Sequence, residues 1–227
     1  MPEMLVLVPT PLERRLLAPV LAAGLPAAAR IQLCGFGPVA AAARTAELLA
    51  TRAPDRVLLV GIAGRLDDRL AIGSAYRFRE VACYGVGVGA AADFIPAEQL
   101  GWQQWPGASD TASDPLGSPA AAAIGDRLSC TAGRSADPNG AGLLLSACAA
   151  SATAEDVRQR KQRTPEAEAE DMEGFAVALA CRLRGVPLTI VRGISNTAGD
   201  RDQATWRIPA ALAAAADLSL RILAEES

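Results

Sequence analysis

The chain of 227 residues contains no histidine and a single lysine, Lys161. Without histidine, neither a Ser-His-Asp nor a Cys-His nucleophilic centre can be built, and the common His-based zinc sites are excluded as well. Acid–base chemistry must come from carboxylates, tyrosine, cysteine or that one lysine, which favours carboxylates. Aromatics are scarce at 4%, and neither sign of charge dominates, the formal net charge being −3. A basic footprint for nucleic acid is therefore missing. The five cysteines (Cys34, Cys83, Cys130, Cys148, Cys181) form no CxxC pair. Most lie in apolar runs, so buried free thiols in a reducing compartment are expected. The opening apolar run, MLVLV at 4–8, is shorter than the core of a signal peptide or a membrane span. The expectation is a cytoplasmic protein with no membrane or nucleic-acid partner, no metal and no organic cofactor.

What the chain has is alanine and alternation. Apolar residues reach 51%, enough for one domain with a substantial core of closely packed helices on a sheet. Strand-like runs at 4–8, 31–34, 56–60, 73–81 and 143–145 are interleaved with helical patterns, which points to an α/β fold. The stretch 96–138 is rich in Ala, Gly, Ser, Pro and Asp. It reads as a long irregular excursion around a helix near 120–128, with Pro119 at that helix's start. A polar helix over 153–163 and an alanine-rich amphipathic helix over 209–223 complete the set.

The chain is organised around 169–202. An apolar helical run containing Phe175, Leu179 and Leu183 stops at Gly185-Val-Pro187, and 188–191 follows as a strand buried on both faces. Asp171 and Glu173 lie where that helix begins; Arg192, Ser195, Asn196 and Asp200 follow the strand. Polar groups at the carboxyl end of a buried strand occupy the usual ligand position of an α/β sheet. The plainer role for the two acids is to favour the helix N-terminus.

Two further segments carry chemistry-bearing groups. Thr10-Pro11-Leu12-Glu13 spells a capping box with proline at the first helical position, and it sets Glu13 at the mouth of the first strand. Gly35-Phe36-Gly37-Pro38-Val39-Ala40 matches GxGxxA, but on the second strand, with a proline where a pyrophosphate would want N–H groups. A tight turn that brings backbone close to another segment is the better reading.

In order, TPLERRLL (10–17), GFGPVAAA (35–42), GIAG (61–64), EDMEG (170–174) and RGISN (192–196) resemble the purine nucleoside phosphorylase and nucleosidase superfamily over almost the whole chain. The resemblance implies a three-layer α/β/α sandwich with a central twisted mixed sheet. It also implies cleavage of an N-glycosidic bond of a small-molecule purine nucleoside, and a homo-oligomer. By that resemblance Glu13 orients and deprotonates the attacking water, Glu173 holds the ribose hydroxyls and Met172 packs on the ribose. Asn196 reads the base: an amide offers an N–H donor to a 6-oxo group and an acceptor to a proton on N7, favouring hypoxanthine. Gly64 and Ser195 join the substrate-binding set, Arg201 pairs a carboxylate at the far end of the substrate, and Phe36, Phe94 or Phe175 supplies base stacking. SACAAS at 146–151 lacks the aromatic that the nucleosidases carry there. A phosphorylase, a nucleosidase for other purine nucleosides and a non-catalytic nucleoside-binding protein stay open at this point.

Overall fold

Alternation along the first strand sets the two faces of the molecule. Met4, Val6 and Val8 belong to one buried cluster, with Leu17, Leu21, Leu212, Ala215 and Ile222. Leu5 and Leu7 belong to the other, with Ala41, Leu48, Leu49, Val177 and Cys181. Successive side chains of a strand point to opposite faces, so an all-apolar strand needs cover on both. The computed structural model describes residues 3–90, 93–107, 122–131 and 137–225. Its elements are β1 (Met4–Val8), α1 (Pro11–Ala22), β2 (Arg30–Leu33), α2 (Pro38–Arg52), β3 (Arg56–Arg65), β4 (Ala75–Tyr84), β5 (Gly87–Val88), β6 (Ile95–Pro96), β7 (Arg127–Ser129), β8 (Gly140–Ala147), α3 (Ala154–Arg163), β9 (Ala167–Asp171), α4 (Gly174–Arg184), β10 (Leu188–Thr197) and α5 (Ile208–Glu225). Helices α1 and α5 cover one face of the sheet, α2 and α4 the other. This is the expected three-layer α/β/α sandwich.

The main sheet has eight strands in the order β10-β4-β8-β9-β3-β1-β2, with β7 on β4. Pairing is mixed: β10 runs parallel to β3 and antiparallel to β4. Because β10 pairs with both, β3, β10, β4, β8 and β9 close into a ring, and β1 and β2 extend from the first half of β3. The second half of β3 pairs instead with β9, Gly64 opposite Glu170. The sheet is thus curled as well as twisted.

Three segments differ from the sequence-based expectation, each for a physical reason. Residues 167–171 form a strand rather than the start of the helix, which begins only at Gly174. The carboxylates that argue against a strand are matched by arginines distant in sequence. The last strand does not stop at Val191 but runs to Thr197, carrying Arg192, Ser195 and Asn196 within it. The part of the 120–128 expectation that lies among the described residues is not helical: residues 127–129 pair with β4, tertiary pairing overriding alanine's propensity. Pro119 lies outside the described residues. Helix α3 begins one residue past its Thr153 cap, with a complete capping box to Asp156.

Candidate active site

At the carboxyl ends of β1, β3, β9 and β10 lies a cavity of about 370 Å³ whose walls include Glu13, Phe36, Gly64, Glu170, Met172, Glu173, Ser195, Asn196, Arg201 and Trp206. Glu13 reaches it from the first turn of α1. Thr10 caps that helix: its Oγ1 accepts from the Glu13 N–H at 3.3 Å, and Glu13 Oε2 accepts from the Thr10 N–H at 3.0 Å. The other oxygen, Oε1, accepts from the Ile62 N–H at 3.0 Å. The carboxylate is 4% exposed. The capping box therefore fixes the helix and aims Glu13 at once.

Arg192 is fully buried behind the cavity's carboxylates. Asp171 Oδ2 accepts from its Nε at 3.0 Å, and Glu173 Oε2 lies 3.4 Å from its Nη2. Burial works against the guanidinium charge, but Asp171, Glu173 and Glu13 outweigh it and hold Arg192 above its ordinary value. Asp171 is in turn fixed by Ser146 Oγ and the Gly174 N–H. One atom is left over: Arg192 Nη1 has no partner among the described residues. A Cβ on Gly61 would collide with that Nη1 and stand 2.7 Å from Glu13 Oε1. Only glycine fits at 61, because the Arg192 guanidinium and the Glu13 carboxylate take the room a side chain there would need.

Glu173 sits at the N-cap of α4, and its Oε1 accepts from the Gly37 N–H at 3.0 Å. The GxGxxA turn therefore commits its backbone donor to a carboxylate of the same chain; the close approach of backbone to another segment is to Glu173, not to a pyrophosphate. Burial, aided by the charges of Asp171 and Glu13, pushes Glu173 up to about 7 against the pull of Arg192 and Gly37. Beneath these groups Cys34 is buried and its thiol is raised to about 12, desolvation being the main cause. It is an inert packing residue.

Asn196 closes the far wall. Its Oδ1 accepts from Ser195 Oγ at 2.8 Å and its Nδ2 donates to the Thr197 carbonyl at 2.8 Å. One amide hydrogen and one lone pair remain for a ligand. Arg201 lies 5.2 Å over the Trp206 ring at the rim. Among the described residues no set of three acidic or thiol groups is placed to hold a metal ion.

Of the expected site residues, Glu13, Glu173, Asn196, Gly64, Met172, Ser195 and Arg201 all line this cavity. Phe175 does not: it faces the sheet from the first turn of α4 and is 5% exposed within the core. Its link to the site is indirect, through its N–H donated to Ser146 Oγ. Of the other aromatic candidates, Phe36 lines the cavity, while Phe94 packs near Tyr84 beside a separate cavity. Sequence reasoning read Gly61 only as one of the small residues of GIAG that allow close backbone approach, gave no role to Glu170 and left Arg192 without one. A charged residue inside an otherwise apolar run, LTIVRGI, was the available signal for the last.

A sequence model of the phosphorylase superfamily matches residues 28–225. The chain belongs to that superfamily. More particular likenesses lie within it. A futalosine hydrolase of Streptomyces coelicolor is 34% identical over 188 residues, 81% of this chain and 73% of that protein. One of Thermus thermophilus is 33% identical over 201 residues, 85% of this chain and 80% of that protein. Among solved structures, a 5′-methylthioadenosine/S-adenosylhomocysteine nucleosidase from Neisseria meningitidis, in complex with methylthio-immucillin-A, superposes with a TM-score of 0.75. It is 21% identical, and the match covers 98% of this chain and 99% of that one.

Proposed function

We propose that the protein is a futalosine hydrolase, cleaving the N-glycosidic bond of futalosine with water to release hypoxanthine and dehypoxanthine futalosine, a step of menaquinone biosynthesis. The observation that carries the reaction type is the placement of two buried carboxylates, Glu13 and Glu173, on the wall of one cavity together with Met172 and Asn196. A water at the cavity face of Glu13 donates a hydrogen bond to the carboxylate, which directs its proton and leaves a lone pair free toward the sugar. As the bond to the base lengthens, the sugar gains oxocarbenium character. Glu173, accepting from the ribose hydroxyls, interacts more strongly as that charge grows. Glu13 takes the proton from water, and Asn196 hydrogen-bonds the departing base at N7 and O6.

Phosphate fits this site poorly. Three carboxylates, Glu13, Asp171 and Glu173, face one guanidinium, and their excess negative charge repels a dianion. The identities to two futalosine hydrolases support the substrate. The carboxyphenyl end of futalosine is assigned to the rim with Arg201 and Trp206, where a guanidinium on an aromatic face suits a carboxylate beside a ring. The working form is a cytoplasmic homo-oligomer.

The test is hypoxanthine release from futalosine in phosphate-free buffer, with inosine and methylthioadenosine alongside. Release from futalosine is expected, and Glu13→Gln should lower kcat by about 100- to 10,000-fold. A requirement for phosphate, or a preference for the adenine nucleoside, would overturn the assignment.

A further inference from the structure

The register of the sheet brings together a pair of residues that the mechanism above does not use. Asn196 pairs with Gly64 across β10 and β3, and Gly64 pairs with Glu170 across β3 and β9. Glu170, Gly64 and Asn196 therefore form one row over three adjacent strands, with the outer two about 10 Å apart from two strand spacings. The central position carries no side chain, and all three line the same cavity. One wall of the row is the amide that reads the base; the other is a carboxylate 4% exposed.

That carboxylate is held firmly. Oε1 accepts from the Ser151 N–H at 2.8 Å, and Oε2 from Ser151 Oγ at 2.7 Å and from Arg160 Nη1. Arg160 is itself fixed by the Ala149 carbonyl and by the Tyr84 ring, 5.1 Å from its guanidinium carbon. A carboxylate has about four acceptor positions. Three are filled, and the one left is on Oε1.

We infer that Glu170 is a specificity-determining residue, accepting a hydrogen bond from the N1–H of a 6-oxopurine whose O6 and N7 face Asn196. The inference rests on the purine nucleoside reading of the site. In hypoxanthine N1 carries a hydrogen and becomes a donor; in adenine N1 is a bare acceptor and would meet a carboxylate lone pair. Asn196 and Glu170 then impose one pattern from opposite sides, and a 6-aminopurine mismatches both. A buried polar group left unmatched by the wrong ligand is the strong form of discrimination. The Arg160–Glu170 pair keeps the carboxylate from rotating to suit adenine.

The experiment uses the wild-type enzyme first, with hypoxanthine, adenine and 1-deazahypoxanthine (N1–H replaced by C–H) as competitors of futalosine cleavage. Hydrogen bonds to charged groups contribute enough that hypoxanthine should bind about 10- to 100-fold more tightly than its 1-deaza analogue. In Glu170→Leu, which removes the acceptor, the two should bind alike to within about threefold, and the ratio of kcat/KM for 6-oxo over 6-amino nucleosides should fall by at least about tenfold. A residue that only tied β9 to α3 would lower all nucleosides together and leave that ratio unchanged. Equal binding of hypoxanthine and its 1-deaza analogue to the wild type would overturn the inference, whether or not the variant folds. Failure of hypoxanthine to compete at all would instead overturn the purine reading beneath it.

Discussion

Four ionisable side chains from three distant stretches of the chain, Glu13, Asp171, Glu173 and Arg192, meet beside the cavity. Burial is the main cause that lifts the Glu173 carboxyl from an ordinary value of 4.5 to about 7, within the working range. A carboxyl raised in this way favours the fold fully below 4.5 and loses that contribution as pH rises through about 7. Glu173→Gln should therefore gain stability relative to wild type over that window, on the order of 3 kcal/mol, readable in urea melts at pH 4.5 and 8. Its charged form is also the one that accepts from ribose hydroxyls. The kcat/KM of the wild type should accordingly show an acid limb near pH 7, and that limb should disappear in the Gln variant. A wild-type profile flat from pH 5 to 8 would contradict this account. At this scale much was legible: Glu13, Glu173 and Asn196 are named by motifs whose residue types already state the chemistry. Glu170 and Arg192 were not, because their meaning lies in partners from α1, α3 and β9 that no local pattern shows.

Among the elements, β10 and α5 carry the most constraint. Gly193, inside RGISN, lies where a Cβ would meet the Ala211 backbone, 2.5 Å from its carbonyl carbon. The glycine lets α5 descend onto the strand, and Arg207 donates its N–H to the Ser195 carbonyl at 2.8 Å to seal the joint. Gly193→Ala must push the helix outward; a loss of about 1–3 kcal/mol is expected from overpacking, seen as a lowered Tm. Since Ile208, at the start of α5, lines the cavity, futalosine KM should rise as well. An unchanged Tm would show that α5 yields freely. The helices α1, α3 and α5 were readable from caps and periodicity. Strand β9 was not: AEAED looks solvated, and only Arg160 and Arg192, brought in by folding, make it a buried strand. The same blindness shortened β10 at Arg192.

Taken whole, the molecule presents an apolar rim beside its cavity. Leu12 and Phe36 line the mouth, Leu16 lies one turn along α1, and Val39, three residues beyond Phe36, is 82% exposed. Apolar side chains grouped at a site's edge suit burial against a second copy of the chain. Sedimentation should give a mass at least twice 23.4 kDa, and Val39→Glu should shift it toward the monomer. A wild-type monomer at micromolar concentration would remove the homo-oligomer from the proposal.

The ring of strands also dictates an order of events during synthesis. Strand β10 inserts between β3 and β4, which are made more than a hundred residues earlier. Until residues 188–197 leave the ribosome, the apolar edges of β3 and β4 that will grip them stay unpaired, and such edges invite foreign strands. The nascent chain must wait for its own tenth strand with its centre open. Nucleoside binding should therefore appear in one late step, and chaperones should hold the unfinished chain longer than its length alone would suggest.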